Sequence, residues 1–201
     1  LATALIYDLC PGHDFKESLN VLEQCPPEMG TSYPCNAVWR LWALVKYRRI
    51  DCVLSDLRNR WGRMRSVWEN NTLQEFWVAY PDEGSQWSHC AMYPLIAINQ
   101  GIAGAYPLEP GCGKMKLEPQ IGDLEYVDFS VQTIKGPIHF SSKGEKGQRM
   151  VQIQIPESME VELWLDKREK VDLPLLRMEK SGICVYKMTK SGTYNIKLKY
   201  T

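Results

Sequence analysis

The chain has 201 residues, 44% hydrophobic and 24% charged, which is enough apolar material for the core of one domain or of two small ones. Lys+Arg and Asp+Glu balance at 24 each, so no charge excess points to nucleic acid or an anionic membrane as partner. No apolar run approaches the roughly 18 residues of a membrane span.

Leu1 to Cys10 open directly in an apolar, helix-like run with no initiator Met, capping residue or basic leader. That start reads as a chain beginning mid-helix, part of a longer polypeptide. Helical periods follow: Phe15, Leu19 and Leu22 share one face, as do Leu54, Leu57, Trp61 and Met64. Between these stripes, Ala37 to Val45 is apolar almost all round, which suits a helix buried in a larger assembly, with Trp39, Trp42 and Trp61 as core packing. A further helix is expected over Cys90–Asn99. Tyr106 to Gly113, rich in Pro and Gly, reads as a linker.

From about residue 115 the period changes to two. Val127, Phe129 and Val131 alternate with polar residues, as do Val151, Ile153 and Ile155, then Met159 to Leu165, then Tyr194 to Tyr200. Turn signals at Lys135-Gly-Pro137, Lys143 to Gly147, Glu179 to Gly182 and Lys190-Ser-Gly192 separate the runs. Helices followed by strands define an α+β chain, with residues 1–105 as a helical domain and residues 106–201 as an antiparallel β-sandwich. The seven cysteines lack any C-x-x-C pair; they read as small buried hydrophobes. No spacing implies a metal or an organic cofactor.

The unusual segment is Trp68 to His89. It holds three Trp, one Phe, one Tyr, four acidic residues and one of the chain's three His, and lies between helical stretches. A long loop this aromatic is neither linker nor disordered tail. Rings beside carboxylates and amides suit a sugar: pyranose C–H faces pack on rings, hydroxyls need fixed partners, and chemistry at the anomeric carbon needs carboxylates. Glu69, Asp82 and Glu83 read as surface charges, with Asp82 or Glu83 within the repertoire of a sugar hydroxyl partner. His13 and His139 read as structural or exposed, and Trp164 as a packing residue.

Asn71-Thr-Leu-Gln-Glu-Phe-Trp77, then Gly84-Ser85 and Ser88-His-Cys-Ala91, resembles the late-barrel loop of the α-L-rhamnosidases of glycoside hydrolase family 78. Ser32-Tyr33, Leu57 to Met64, Gly101 to Gly111, Leu117-Glu-Pro119 and Ile134 to Ile138 fall in that family's order. The resemblance implies the C-terminal part of an (α/α) toroid barrel followed by a β-sandwich, and inverting hydrolysis of terminal α-L-rhamnose. It puts Glu75 where the family carries its general base, His89 where a His lines the sugar pocket, and Trp77 and Trp87 among the pocket aromatics. The general acid is expected upstream, in a missing N-terminal part of the same polypeptide, so this chain alone is expected to be inactive. Gln74 departs from the family, which often has an aromatic there; Ser88 and Cys90 depart from an Asn and an aromatic. The family implies a periplasmic or secreted enzyme, whereas unpaired cysteines suit a reducing compartment. A non-catalytic carbohydrate-binding or structural module is the alternative from another class, with a different helical-toroid glycosidase or phosphorylase as a third reading.

Overall fold

The structure, a computed structural model, describes residues 1–12, 14–30, 32–80 and 83–200, the side chains of His89 and Tyr200 excepted. His13 and Asp82, assigned roles above, lie outside the described residues. Two compact units follow one another along the chain, Leu1–Ile98 and Asn99–Thr201.

The first unit holds short helices: α1 (Ala2–Ile6), α2 (Phe15–Gln24), α3 (Pro34–Lys46), α4 (Ile50–Asn59), α5 (Arg65–Asn70) and α6 (Tyr93–Ile96). α3 is the central element. It starts on Pro34, whose fixed φ and missing N–H suit a first helical position, and it buries Leu41, Ala43, Leu44 and Val45. Its polar residues close the ends of its neighbours, whose last carbonyls have no helical partner. Lys46 donates to the Leu5 and Ile6 carbonyls at 3.3 and 2.6 Å, and Tyr47 Oη donates to the Leu5 carbonyl at 2.7 Å. Arg40 does the same for α2, donating to the Leu22 carbonyl at 2.6 Å and the Glu23 carbonyl at 3.2 Å while pairing with Asp56 of α4. α2 itself ends on Cys25 in the left-handed region, at φ 48°.

The expected apolar stripe from Leu54 to Met64 does not lie on one helix. α4 stops at Asn59, and a 3-10 turn over Trp61–Arg63 carries the remainder, with Trp61 and Met64 both buried. Trp39 is 40% exposed and stacks on Trp42 at 5.9 Å, so it is not core packing as expected. The helix expected over Cys90–Asn99 is broken into a 3-10 turn at His89–Ala91, α6, and a π-helical stretch over Ala97–Ile102.

The second unit is the expected β-sandwich. One sheet has the order β1 (Ala105–Pro107), β2 (Lys114–Leu117), β6 (Glu160–Asp166), β9 (Ile183–Met188), β8 (Leu175–Met178). The other runs β3 (Tyr126–Val131), β4 (Ile138–Glu145), β5 (Gln148–Ile155), β10 (Gly192–Tyr200), β7 (Glu169–Lys170). All neighbouring pairs are antiparallel except β2 with β6, which is parallel. Alternation drives the assembly: Val151, Ile153 and Ile155 are buried while Gln148, Met150, Gln152 and Gln154 face out. Ile138, Phe140, Ile153, Leu163, Leu165 and Met188 form the fully buried centre.

Three expectations fail here. Tyr106, placed in a linker, lies in β1, paired with Lys116 of β2. Glu162, placed on the wet face of its strand, is 1% exposed. The cysteines are all free thiols, but only Cys184 is buried; Cys90 is exposed and the others lie between.

Candidate active site

The aromatic segment begins as helix rather than loop. Trp68, Glu69 and Asn70 form the end of α5, and Asn71 closes it in the left-handed region at φ 54°, where Asn is among the tolerated residues. From Thr72 the chain runs out to Tyr80 and comes back through a 3-10 turn at Gly84–Gln86. Outgoing and returning segments are joined through the backbone: Glu75 N–H donates to the Ser85 carbonyl at 2.9 Å, and Ser88 N–H to the Leu73 carbonyl at 2.8 Å.

Two buried amides brace this arrangement. Gln74, 1% exposed, accepts from Ser66 N–H through Oε1 at 3.1 Å and donates through Nε2 to the Phe76 and Trp77 carbonyls at 2.8 and 3.1 Å. Gln86 accepts from Asn70 Nδ2 at 2.6 Å and donates to the Tyr80 carbonyl at 2.7 Å. Thr72 Oγ1 and Ser66 Oγ add bonds to the Gln86 and Thr72 carbonyls at 2.8 and 3.0 Å. Buried polar groups persist only when paired, and here each pairing pins one turn of the loop.

Glu75 stands exposed between Gln74 and Phe76. Trp87, 59% exposed, is two residues beyond Ser85 on the returning segment, so the backbone ladder brings Glu75 and Trp87 onto paired stretches. Trp77 points to another environment. Its indole N–H donates to the Ser32 carbonyl at 2.6 Å and its ring meets Trp61 edge to face at 5.3 Å. With Trp39 and Asn36 it walls a cavity of about 310 Å³ among the first four helices. Phe76 packs edge to face on Tyr33 at 5.1 Å. The backbone of His89 lies in the turn that follows, and its side chain is outside the described residues.

The other carboxylates of the segment have local duties. Glu69 pairs with Arg65 one helical turn back at 2.6 Å. Glu83 accepts from Tyr80 N–H at 3.2 Å and Ser85 Oγ at 3.3 Å, which closes the loop tip. Glu75 is exposed, and Phe76 and Trp77 follow it along the chain. Gln74 and Gln86 carry the loop's geometry; the sequence marks Gln74 only as a departure from the family's aromatic and Gln86 not at all. Among the described residues no cluster of His, Cys, Asp and Glu has the makings of a metal site.

The chain thus orders a helical unit before a sandwich of two five-stranded sheets. Residues 101–175 match the model of the bacterial alpha-L-rhamnosidase C-terminal domain. No curated protein matches the chain. Among solved structures, an α-L-rhamnosidase from Dictyoglumus thermophilum matches 98% of this chain with TM-score 0.73 and 21% identity. One from Streptomyces avermitilis, complexed with L-rhamnose, matches 98% with TM-score 0.73 and 17% identity, and one from Aspergillus terreus 98% with 0.69 and 18%. At such identities the likeness is one of fold. The chain spans 24%, 21% and 23% of the lengths of these three.

Proposed function

We propose that this chain is the C-terminal portion of an inverting glycoside hydrolase that removes terminal α-L-rhamnose, with Glu75 as its general base. In this reading residues 1–105 are the last helices of an (α/α) barrel and residues 106–201 its accessory sandwich, with Trp77, Trp87 and His89 lining the sugar pocket. One observation carries it: an exposed carboxylate on an aromatic-rich loop whose backbone is fixed by two buried amides. Inversion requires a base to activate water on one face of the sugar and an acid on the other, about 6.5–9.5 Å away. The acid is supplied by the upstream part of the polypeptide. The matched family domain and the rhamnosidase fold over 98% of the chain support the substrate class.

The test is Glu75→Gln in the complete gene product, assayed on an aryl α-L-rhamnoside with the product anomer followed by NMR. Loss of the base lowers kcat by about 10²–10⁴-fold with rhamnose still bound, and the wild-type product forms as the β anomer first. Wild-type turnover by Glu75→Gln, or a retained anomer, defeats the proposal. The 201-residue chain alone releases no rhamnose, because half of the carboxylate pair is elsewhere.

A further inference from the structure

The Gln74 amide lies between the helix before the loop and the backbone just after Glu75. It offers one acceptor and two donors in a single plane and uses all three, at 3.1, 2.8 and 3.1 Å. Of the neutral side chains, only an amide carries that set, and Asn is one methylene short of this span. Gln74 is 1% exposed, so water does not compete for these bonds. The consequence for the next residue is direct. With the carbonyls of Phe76 and Trp77 gathered onto one NH₂ group, the chain turns sharply at Glu75, and its N–H meets the Ser85 carbonyl at 2.9 Å.

We propose that Gln74 is the positioning residue that sets where the Glu75 carboxylate stands, an inference that rests on the reading of Glu75 as the base. Trp77 is anchored separately, through Ser32 and Trp61. Releasing the Gln74 clamp therefore displaces the carboxylate more than the aromatic wall. The loss falls on kcat and leaves KM nearly unchanged. A misplacement on the order of 1 Å lowers such a step by up to about 100-fold.

Gln74→Glu turns the clamp into a pH-dependent one. Protonated, the new side chain keeps an O–H donor for one of the two carbonyls; ionised, it sets a charged oxygen against both. The complete gene product carrying Gln74→Glu is assayed on an aryl α-L-rhamnoside from about pH 5 to about pH 8, the range in which a buried carboxyl titrates. Amide exchange of the peptide spanning residues 73–78 is followed by mass spectrometry under the same conditions. Relative to wild type at each pH, kcat declines as pH rises, reaching at least about tenfold below it. KM stays within about twofold, and the Glu75 amide loses protection over the same range. Gln74→Met, which cannot titrate, shows reduced kcat at every pH, and carries the test if Gln74→Glu does not fold. Wild-type kcat and pH profile in either variant, a change in KM alone, or unchanged protection of the Glu75 amide overturns the proposal. Full turnover by Glu75→Gln would instead remove the reading of Glu75 as base, and the exchange measurement would still decide the role of Gln74.

Discussion

Glu162 on β6 receives hydrogen bonds from Arg177 Nη2 and Nη1 at 2.9 and 3.2 Å and from Trp164 Nε1 at 3.0 Å, with Lys114 Nζ at 2.8 Å. The Trp164 ring also lies under Lys116 and Arg177, at 4.7 and 5.2 Å. The Arg177 guanidinium, followed by Lys114 and Trp164, pulls the Glu162 carboxyl from 4.5 down to about 2, against the opposing effect of burial. The folded value lies below the unfolded one, so the contribution to stability is complete above about pH 4.5 and drains away as pH falls towards about 2. At neutral pH it amounts to about 3 kcal/mol. Arg177→Met leaves a nearly buried carboxylate with Lys114 and Trp164 alone, and destabilises the sandwich by about 2–3 kcal/mol at neutral pH. Urea titration at neutral pH and again near pH 3 (inside that window) checks it: the gap between variant and wild type narrows in acid. An equal gap at both values would show that packing, not charge, carries the effect. None of this was readable in advance. The alternation of β6 puts Glu162 with the outward residues, and its charged partners come from other strands, Lys114 from β2 and Arg177 from β8. In the same way, the composition of residues 68–89 marks an aromatic, acid-bearing segment and the family resemblance points to Glu75 within it, while the hydrogen bonds of Gln74 and Gln86 depend on carbonyls that only the folded loop brings together.

Among the elements, legibility follows the size of the buried face. β3, β5 and β10 were visible because each alternates over six or more residues, with the inward face of β5 wholly covered and those of β3 and β10 largely so among the described residues. β1 was hidden by Pro107 and by its three-residue length, and the parallel pairing of β2 with β6 is a non-local event with no local signature. The 3-10 and π segments around residues 84–102 escape a period of 3.6 altogether. Gly104 is the clearest case of an element decided by one residue. It sits at φ +63°, and a Cβ there would lie 2.0 Å from the Glu118 carbonyl oxygen. Across that approach Glu118 N–H donates to the Gly104 carbonyl at 3.0 Å and Gln120 N–H to the Ile102 carbonyl at 3.1 Å, which aligns β1 with β2. Gly104→Ala must therefore move backbone, and a cost of about 3 kcal/mol or more is expected. Gly113→Ala is the control: its Cβ meets nothing nearer than Glu109 Oε2 at 3.7 Å, with φ an ordinary −63°. Thermal melts of both variants decide the matter. A small shift for Gly113→Ala and a large one for Gly104→Ala is the expected pair, and equal shifts would refute the steric argument.

For the whole molecule, the two units differ in how completely each covers its own apolar surface. The sandwich brings together two five-stranded sheets, whose inward residues from Val127 to Leu198 are almost all buried, and it adds a buried Arg149 that ties the Gly122 and Gly144 carbonyls at 2.8 Å each. The helical unit is built from helices of 4 to 13 residues, lengths at which packing rather than propensity holds a helix. Among the described residues it leaves fourteen large hydrophobic side chains exposed, Tyr7, Leu9, Trp68 and Trp87 among them, against seven in the sandwich. Scattered exposure is ordinary, but this much large apolar surface on so small a unit is the mark of incomplete burial. Residues 99–201 expressed alone are therefore expected to unfold cooperatively, with β-rich circular dichroism and coincident fluorescence and dichroism transitions. Residues 1–98 alone are expected to bind a hydrophobic dye and to melt without a sharp transition. The opposite pattern, with a cooperative helical unit and a molten sandwich, would reverse the assignment of which half is self-sufficient. It would also weaken the proposal that the helices belong to a larger barrel, since a unit that covers its own core has no need of further helices to complete it.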